Sequence, residues 1–346
     1  MKAAIYKEFK GPITIGQVPD PKPKDHDAII KVKASGLCLS DWHGWMGHDK
    51  DIVLPHVPGH ELAGEIVEVG KSVKNWKAGQ RVTVPFVCAC GSCEVCAENN
   101  QQVCPNQTQP GFTHWGSFAE YVRIDHADTN LVALPESIDH KTAASLGCRF
   151  ATSFRAVVDQ GKVREGQWVS VFGCGGVGMS AIMIAKAMGA RVIAIDIDES
   201  KLEFARKELG ADAVINISKE DKQIQKILDI TNGGSHISID ALGKPEIVWD
   251  GINSLRRRGK HIQVGILQPE VKNAPIPMDR MISHEIEVIG SHGMQAFRYE
   301  EMLSLIINGK LDPARLISEE ITLEQVCEEL SVMDRFESSG IRVCLM

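Results

Sequence analysis

Four cysteines form the tightest group of metal-binding side chains in the sequence. Cys90, Cys93, Cys96 and Cys104 have the spacing C-x2-C-x2-C-x7-C, in a loop-like stretch with several glycines and asparagines. Such closely spaced thiolates can converge on one zinc ion without the closure of a long loop, and four protein ligands fill its tetrahedral coordination sphere. The spacing therefore predicts a structural zinc ion; disulfides, free thiols and an iron–sulfur cluster are the alternatives. Cys88 stands just outside the motif and is expected to be a spectator.

A glycine motif follows the alternating apolar run from Trp168 to Phe172. It has the spacing G-x-G-x-x-G, and a helical stretch to Met188 and a second strand come after it. In this setting the first glycine permits a tight turn, the second lets the backbone approach a pyrophosphate, and the third lets the helix pack close to the strand. The motif therefore predicts a dinucleotide site formed by the residues of the turn, which are Gly173, Gly175, Gly176, Val177 and Gly178.

Asp196 ends the second strand of this unit. A carboxylate there is placed to accept a hydrogen bond from a ribose 2′-hydroxyl, and its charge repels a 2′-phosphate. We therefore predict NAD in preference to NADP. The alternative is a glycine-rich turn in an ordinary parallel sheet.

Three further residues have the side chains of an open metal site. Cys38 in GLCLSDWH, His60 in PGHE and Cys148 in SLGCRFAT each lie in an unusual polar context. One histidine and two cysteines form a catalytic zinc set that leaves the fourth position to water or a substrate oxygen. Sequence spacing does not establish that they converge, and a single buried cysteine is usually inert core.

The elements that must position these residues follow two patterns. Residues 1 to about 148 have the pattern of strands and turns, with strands expected at Ala28–Ala34, Leu62–Val69 and Arg81–Val84. From about residue 150, strands near 168, 191, 213, 236, 260 and 286 alternate with helical stretches near 176, 199, 221, 246 and 279. This alternation predicts a doubly wound parallel sheet.

The residues after 291 are expected to return to the first domain. They contain helical segments at Arg298–Ile307 and Leu323–Met333 and a last strand at Ile341–Leu345. Six strands already complete a dinucleotide-binding sheet, so this tail has no place in it.

Length and composition agree with a two-domain globular protein. The chain has 346 residues, of which 43% are hydrophobic and 24% are charged, values typical of globular domains. A net charge of −7 argues against nucleic acid or an anionic membrane as a partner. We expect no signal peptide, because the N-terminal stretch MKAAIYKEFKGPITIG lacks an apolar core. We expect no transmembrane helix, because the most apolar stretch is broken by Lys186, Gly189 and Arg191. Thiols clustered at metal-ligand spacing favour the cytoplasm.

Along its whole length the chain resembles the zinc-dependent medium-chain alcohol dehydrogenases. The matching motifs are G-x-C-x-S-D-x-H from Gly36 to His43, G-H-E from Gly59 to Glu61, the four-cysteine stretch, G-S-F-A-E-Y from Gly116 to Tyr121, Cys148, and the glycine motif with Asp196. The resemblance implies an α/β protein with a mainly β GroES-like catalytic domain over 1–148, including a structural zinc lobe at 88–105. It also implies a Rossmann-type NAD-binding domain over 149–290 and a C-terminal return over 291–346.

The resemblance also assigns roles at the open metal site. Cys38, His60 and Cys148 would hold a catalytic zinc ion, giving two zinc ions per chain, with Glu61 beside it as a transient ligand. Asp41 would orient the zinc-bound histidine. Ser40 would pass the proton of the alcohol to the nicotinamide ribose hydroxyl, and His43 would hand it to solvent. The alternative is that Ser40 caps a helix starting near Asp41 and that His43 is merely exposed.

Further coenzyme contacts are implied by the same resemblance. Thr152 would lie near the nicotinamide, Lys201 near the adenosine ribose and Arg342 near the pyrophosphate. For Lys201 the alternative is a solvated charge on a helix. The stretch from Val264 to Ile266 would pass the nicotinamide carboxamide. Arg149, beside a proposed zinc ligand, is bulky for a tight place and has no role in this scheme.

The expected activity is reversible hydride transfer between NAD and a primary or secondary alcohol, with an aldehyde or ketone as product. A polyol or other hydroxyl substrate is the alternative within the family, and a non-catalytic sensor that binds NAD and zinc is a remote one. Trp42, Trp45, Phe86 and Trp115 are as consistent with a substrate pocket as with core positions. We also expect a homodimer or homotetramer.

Overall fold

The computed structural model describes residues 1–267, 271, 273–335 and 340–346. These residues form two compact units, one made of Met1–Ala151 with Gly293–Met346 and the other of Thr152–His292. The boundaries expected from the sequence, after residues 148 and 290, lie two to three residues earlier. None of the described helices combines the length and apolar character that crossing a membrane requires.

Antiparallel strands dominate the first unit. Its main sheet has β3 and β4 at its centre, and alternate residues of β3 (Ala28, Ile30 and Val32) pack into one core with Leu62 and Ile66 of β4. This period of two is that of a strand with one face buried. A π-helical turn, Leu146–Phe150, follows the last helix of this stretch. The elements up to that turn are β1 (Lys2–Ile5), β2 (Thr14–Gln17), β3 (Ala28–Leu37), α1 (Leu39–Trp45), β4 (Glu61–Val69), β5 (Arg81–Thr83), α2 (Glu94–Ala97), β6 (Tyr121–Ile124), α3 (Ala127–Asn130), β7 (Val132–Ala133) and α4 (His140–Ala144).

The second unit is a six-stranded parallel sheet with helices between its strands. Its elements are α5 (Ala151–Phe154, beginning at the last residue of the first unit), β8 (Trp168–Phe172), α6 (Gly176–Ala187), β9 (Arg191–Asp196), α7 (Glu199–Lys207), β10 (Ala213–Asn216), α8 (Gln223–Thr231), β11 (Ser235–Asp240), α9 (Pro245–Asn253), β12 (Leu255–Gln263), α10 (Met278–His284) and β13 (Glu287–Gly290). The strand order is β10-β9-β8-β11-β12-β13. This confirms the doubly wound sheet that the sequence predicts. The order reverses beside β8, which is where such sheets bind ligands at the carboxyl ends of their strands.

The C-terminal segment belongs to the first unit. Its elements are α11 (Tyr299–Ile307), β14 (Ile317–Ile321), α12 (Leu323–Ser331) and β15 (Ile341–Leu345). β15 pairs antiparallel with β3 and parallel with β14. Val326 and Leu330 of α12 pack in the same core as Leu37 of β3. The sequence reasoning missed β14 because its three middle residues, Ser318 to Glu320, are polar and exposed.

Candidate metal centres and dinucleotide site

The four cysteines Cys90, Cys93, Cys96 and Cys104, which we call the four-cysteine site, converge in space. Their sulfur atoms all lie within 4.8 Å of one another. Cys104 Sγ is 3.5 Å from Cys90 Sγ and 3.8 Å from Cys93 Sγ. A tetrahedron with Zn–S distances of about 2.3 Å has S–S edges of about 3.8 Å, whereas a disulfide needs about 2.05 Å. The spacing fits one metal ion, and all ten cysteines are free thiols.

The four thiols of the four-cysteine site can all ionise only if a cation is bound among them. Backbone and side-chain donors, first that of Ser92, lower the pKa of Cys90 to about 5. Burial raises the pKa of Cys96 to about 12. Without a cation the Cys90 thiolate forms easily whereas Cys96 resists ionisation, and a divalent ion removes that resistance.

Backbone contacts hold the base of this lobe. Cys88 and Thr108 exchange two backbone hydrogen bonds of 2.8 Å, which close the loop on itself. The Asn130 side chain accepts from Ala89 N–H at 2.8 Å and donates to the Ala89 carbonyl at 2.9 Å. These hydrogen bonds therefore fix the loop that carries the four cysteines. Cys88 is fully buried and faces the core of the main sheet, as a spectator would.

A second group of metal-binding atoms forms where β3, β4 and the π-helical turn meet. One ligand atom from each of Cys38, His60, Glu61 and Cys148 lies within 4.8 Å of the others. We call this group the Cys38 centre. Cys38 follows β3, His60 directly precedes β4 and Glu61 begins it, and the register of the two strands sets Gly36 opposite Glu61. Cys148 lies in the π-helical turn, a feature that often marks functional sites.

Asp41 ties the segments of the Cys38 centre together. It is 1% exposed, and its carboxylate accepts from Cys38 N–H at 3.1 Å, Gly59 N–H at 3.0 Å and His60 Nδ1 at 2.8 Å. The ring of His60 is thus fixed with Nδ1 as the donor. Its other nitrogen, Nε2, is buried and has no hydrogen-bond partner among the described residues. A buried orphan acceptor beside two thiols is what a metal ion would satisfy, so these residues fit zinc.

Glu61 is held by a residue to which the sequence analysis gives no role. Arg149 Nε donates to Glu61 Oε1 at 3.0 Å, its Nη2 donates to Oε2, and its backbone N–H donates to Oε1 at 3.2 Å. Burial raises the pKa of Glu61, and the charge of Arg149 opposes that rise. The one signal in the sequence is the long cation directly after Cys148.

Ser40 and His43 lie one helical turn apart on α1, so their side chains share a face. Ser40 Oγ is 3.7 Å from Cys38 Sγ. His43 Nδ1 is 2.9 Å from Nδ1 of the exposed His48. Burial, and then the charge of His48, lower the pKa of His43. Ser40 thus lies beside a residue of the Cys38 centre, and His43 lies beside an exposed histidine to which the sequence analysis gives no role.

Aromatic rings line the histidine of the Cys38 centre. Phe86 and Phe112 meet the His60 ring edge-on, with ring centroids 6.4 and 5.4 Å away. Trp42 contacts the rings of His43 and His48, while Trp45 and Trp115 donate their ring N–H groups to the carbonyls of Gly11 and Pro55. Phe112 was not among the aromatic residues singled out from the sequence.

The glycine turn of the second unit has the backbone that its sequence predicts. Gly173 has φ +94°, and a Cβ on Gly178 would lie 1.7 Å from the Gly173 carbonyl oxygen. Gly175 is exposed and has open space around it, and Gly176 and Val177 begin α6. The turn thus leaves room for a phosphate at the start of a 12-residue helix.

Asp196 lies beside this turn, where its carboxylate accepts from Cys174 N–H at 2.6 Å and from Ile197 N–H at 2.8 Å. It is 8% exposed. Lys201 follows on α7, with Nζ 4.0 Å from Asp198. Asp240, which the sequence analysis missed, anchors the neighbouring loop by accepting from Leu242 and Gly243 N–H.

The remaining predicted coenzyme contacts lie in both units. Thr152 is buried at the start of the second unit. Val264 is partly buried and Ile266 is 82% exposed, on the loop after β12. Arg342 lies on β15 in the first unit, where it forms an ion pair with Glu329.

Both units of the chain match families of alcohol dehydrogenase domains. Residues 24–136 match the family described as alcohol dehydrogenase GroES-like domain, and residues 176–308 match that described as zinc-binding dehydrogenase. An alcohol dehydrogenase of Geobacillus stearothermophilus is 35% identical over 98% of this chain and 97% of its own length.

Solved structures of full length superpose on the chain. The alcohol dehydrogenase TADH from Thermus sp. ATN1 does so with a TM-score of 0.92 at 27% identity, covering 100% of this chain and 99% of that one. An NAD-dependent alcohol dehydrogenase has a TM-score of 0.89 at 27% identity, with 100% of both chains covered.

Proposed function

The chain belongs to the zinc-dependent medium-chain alcohol dehydrogenase family, and from that premise we propose which of its residues carry the reaction. The enzyme oxidises an alcohol reversibly to the aldehyde or ketone, with NAD as the hydride acceptor. The observation that carries the assignment is the Cys38 centre, where four ligand atoms lie within 4.8 Å and His60 Nε2 is an orphan.

Cys38, His60 and Cys148 would hold the catalytic zinc ion. Bound there, zinc supplies a Lewis acid that favours ionisation of the alcohol hydroxyl near neutral pH. Asp41 keeps His60 in the tautomer that presents Nε2. The rings of Phe86 and Phe112 exclude water around His60, which strengthens the electrostatic interactions there.

Ser40 and His43 would carry the proton of the alcohol away. The Ser40 hydroxyl would accept that proton while passing its own to a hydroxyl of the nicotinamide ribose, and His43 would receive it because its lowered pKa leaves the ring neutral. His48, at 2.9 Å from His43, hands the proton to water.

The second unit would bind NAD through the turn from Gly173 to Gly178 and through Asp196. NAD supplies the nicotinamide ring that takes up the hydride. Backbone amides of the turn would bind the pyrophosphate, and the Asp196 carboxylate would accept hydrogen bonds from the ribose hydroxyls. We include Lys201, Thr152, Val264, Ile266 and Arg342 as further coenzyme contacts. The four-cysteine site would hold the structural zinc ion.

The test is zinc content per chain together with NAD reduction. Cys38→Ser should lose one of the two zinc ions and all turnover, whereas Cys93→Ser should lose the other ion and stability. A panel of ethanol, benzyl alcohol, a secondary alcohol and a polyol assigns the substrate class. Wild-type protein with zinc only at the four-cysteine site and no turnover would overturn the assignment.

We also propose a homodimer or homotetramer in the cytoplasm. The end strand of the parallel sheet, β13, exposes Val288, and the preceding α10 exposes Met278 and Ile282 at 58% and 76%. Apolar side chains on an unpaired strand edge and a neighbouring helix favour pairing with a second copy. Sedimentation at the monomer mass would refute it. Free thiols in both metal groups favour a reducing compartment.

A further inference from the structure

Arg149 and Glu61 form a buried bidentate ion pair at the edge of the Cys38 centre. Glu61 is fully buried and Arg149 is 8% exposed. Arg149 uses two guanidinium donors and its own backbone N–H on the same carboxylate. Such a fork fixes both carboxylate oxygens and their plane, which a single contact does not.

Two glycines lie against Glu61 and make room for it. A Cβ on Gly36, the residue opposite Glu61 in the sheet, would lie 2.3 Å from Oε2. Gly147 lies against the Glu61 backbone, since a Cβ there would be 3.3 Å from Glu61 Cα. The carboxylate therefore occupies space that the missing side chain of Gly36 leaves open, with the guanidinium beside it and a ligand atom of each of Cys38, His60 and Cys148 within 4.8 Å.

Charge balance explains why an arginine is needed at this place. Two thiolates and a neutral imidazole together cancel the charge of a zinc ion, so Glu61 adds one uncompensated negative charge to a buried site. A buried carboxylate without a counter-charge is costly, and it relieves that cost by binding the nearest cation. Arg149 supplies that cation away from the metal.

We propose that Arg149 is a positioning residue that withholds Glu61 from the metal, so that the fourth coordination position stays free for a substrate oxygen. This inference rests on the proposed function, because it takes the Cys38 centre to be the zinc site. When Arg149 is removed, Glu61 binds the metal through one oxygen and displaces the exchangeable ligand, a water molecule.

The experiment uses cobalt(II) in place of zinc in the full-length enzyme and imidazole as the probe of the open position. The visible spectrum of the wild type, less that of Cys38→Ser, reports the Cys38 centre alone. We expect Arg149→Gln to shift that spectrum and to bind imidazole at least ~10-fold more weakly. Glu61→Gln added to Arg149→Gln should restore the imidazole affinity, because the competing ligand is gone.

Two controls separate positioning from a structural role. Arg149→Lys keeps the charge with fewer donors and should bind imidazole with intermediate affinity. Arg81→Gln removes another arginine of the same unit, which binds Glu136 and two backbone carbonyls, and should leave the spectrum unchanged. If Arg149→Gln and Arg149→Lys lower the melting temperature but leave the spectrum and the imidazole affinity as in the wild type, the inference is wrong. A wild type whose metal content equals that of Cys38→Ser would overturn the proposed function instead.

Discussion

Replacing Asp41 by asparagine tests whether one buried carboxylate assembles the Cys38 centre. Asp41 Oδ1 accepts from Gly59 N–H and His60 Nδ1, and Oδ2 accepts from Cys38 N–H. The asparagine side chain would retain an oxygen for the first two donors. Its NH2 group would face the Cys38 N–H, so that two donors meet and neither is satisfied.

The free energy that Asp41→Asn should cost follows from these three hydrogen bonds. A buried donor left unsatisfied costs about 1–3 kcal/mol, and a hydrogen bond to a neutral acceptor is worth about 1 kcal/mol less than one to a carboxylate. With Cys38 N–H as the unsatisfied donor and two weakened bonds, the total is about 3–5 kcal/mol, shared between folding stability and the free energy of zinc binding. Loss of such a supporting partner typically weakens metal binding about 10–100-fold, or roughly 1.4–2.7 kcal/mol.

The assay is competition for zinc between the protein and a chromophoric chelator, with thermal unfolding measured in parallel. We expect Asp41→Asn to lose zinc from the Cys38 centre first and to keep the zinc of the four-cysteine site. Asp51→Asn, at an exposed aspartate nearby, is the matched control. If Asp41→Asn matches the wild type in both zinc affinity and melting temperature, the role assigned to Asp41 is wrong.

Three further predictions concern the relay, a loop glycine and the coenzyme. Burial and then the charge of His48 lower the pKa of His43 below its usual 6.5. The rate of alcohol oxidation should therefore decline only below pH 6.5, where His43 becomes protonated. If kcat/KM of His43→Gln fell at low pH in the same way as that of the wild type, His43 would not be the titrating group. Gly59→Ala should destabilise the protein by about 1–3 kcal/mol more than Gly79→Ala. Both glycines have positive φ, but only at Gly59 would a Cβ clash, at 2.6 Å from the backbone nitrogen of Phe118. Equal urea midpoints for the two variants would exclude the clash. Asp196→Ala should raise the ratio of kcat/KM for NADP to that for NAD about tenfold or more, and an unchanged ratio would remove the aspartate from coenzyme selection.

Features encoded by neighbouring residues could be predicted from the sequence. The glycine turn and the strands and helix beside it follow from consecutive residues, because local sterics and hydrophobic periodicity determine them. The four-cysteine site is also local, since its ligands lie within one short loop. The alternation of strands and helices predicts the parallel sheet, and its strand order follows from few physically allowed connections.

The same reasoning failed where a strand lacks that local signal. β14 has polar, exposed residues at its centre and exists because β15 pairs with it. Its hydrogen bonds come from a partner some twenty residues later in the chain, which no local pattern reveals.

Only the tertiary structure decided how the Cys38 centre is assembled. Cys38, His60 and Cys148 were proposed as one set by resemblance, but their meeting depends on the β3–β4 register and on a π-helical turn far along the chain. Arg149 is the clearest example of a residue whose contacts could not be predicted from the sequence. In the sequence it is a bulky cation beside a cysteine, and its role becomes visible only when Glu61, 88 residues away, lies within hydrogen-bond distance. Residue types and local order determine which chemistry the chain can perform, whereas contacts between remote segments determine which side chains share a site, because those contacts depend on the packing of the whole unit.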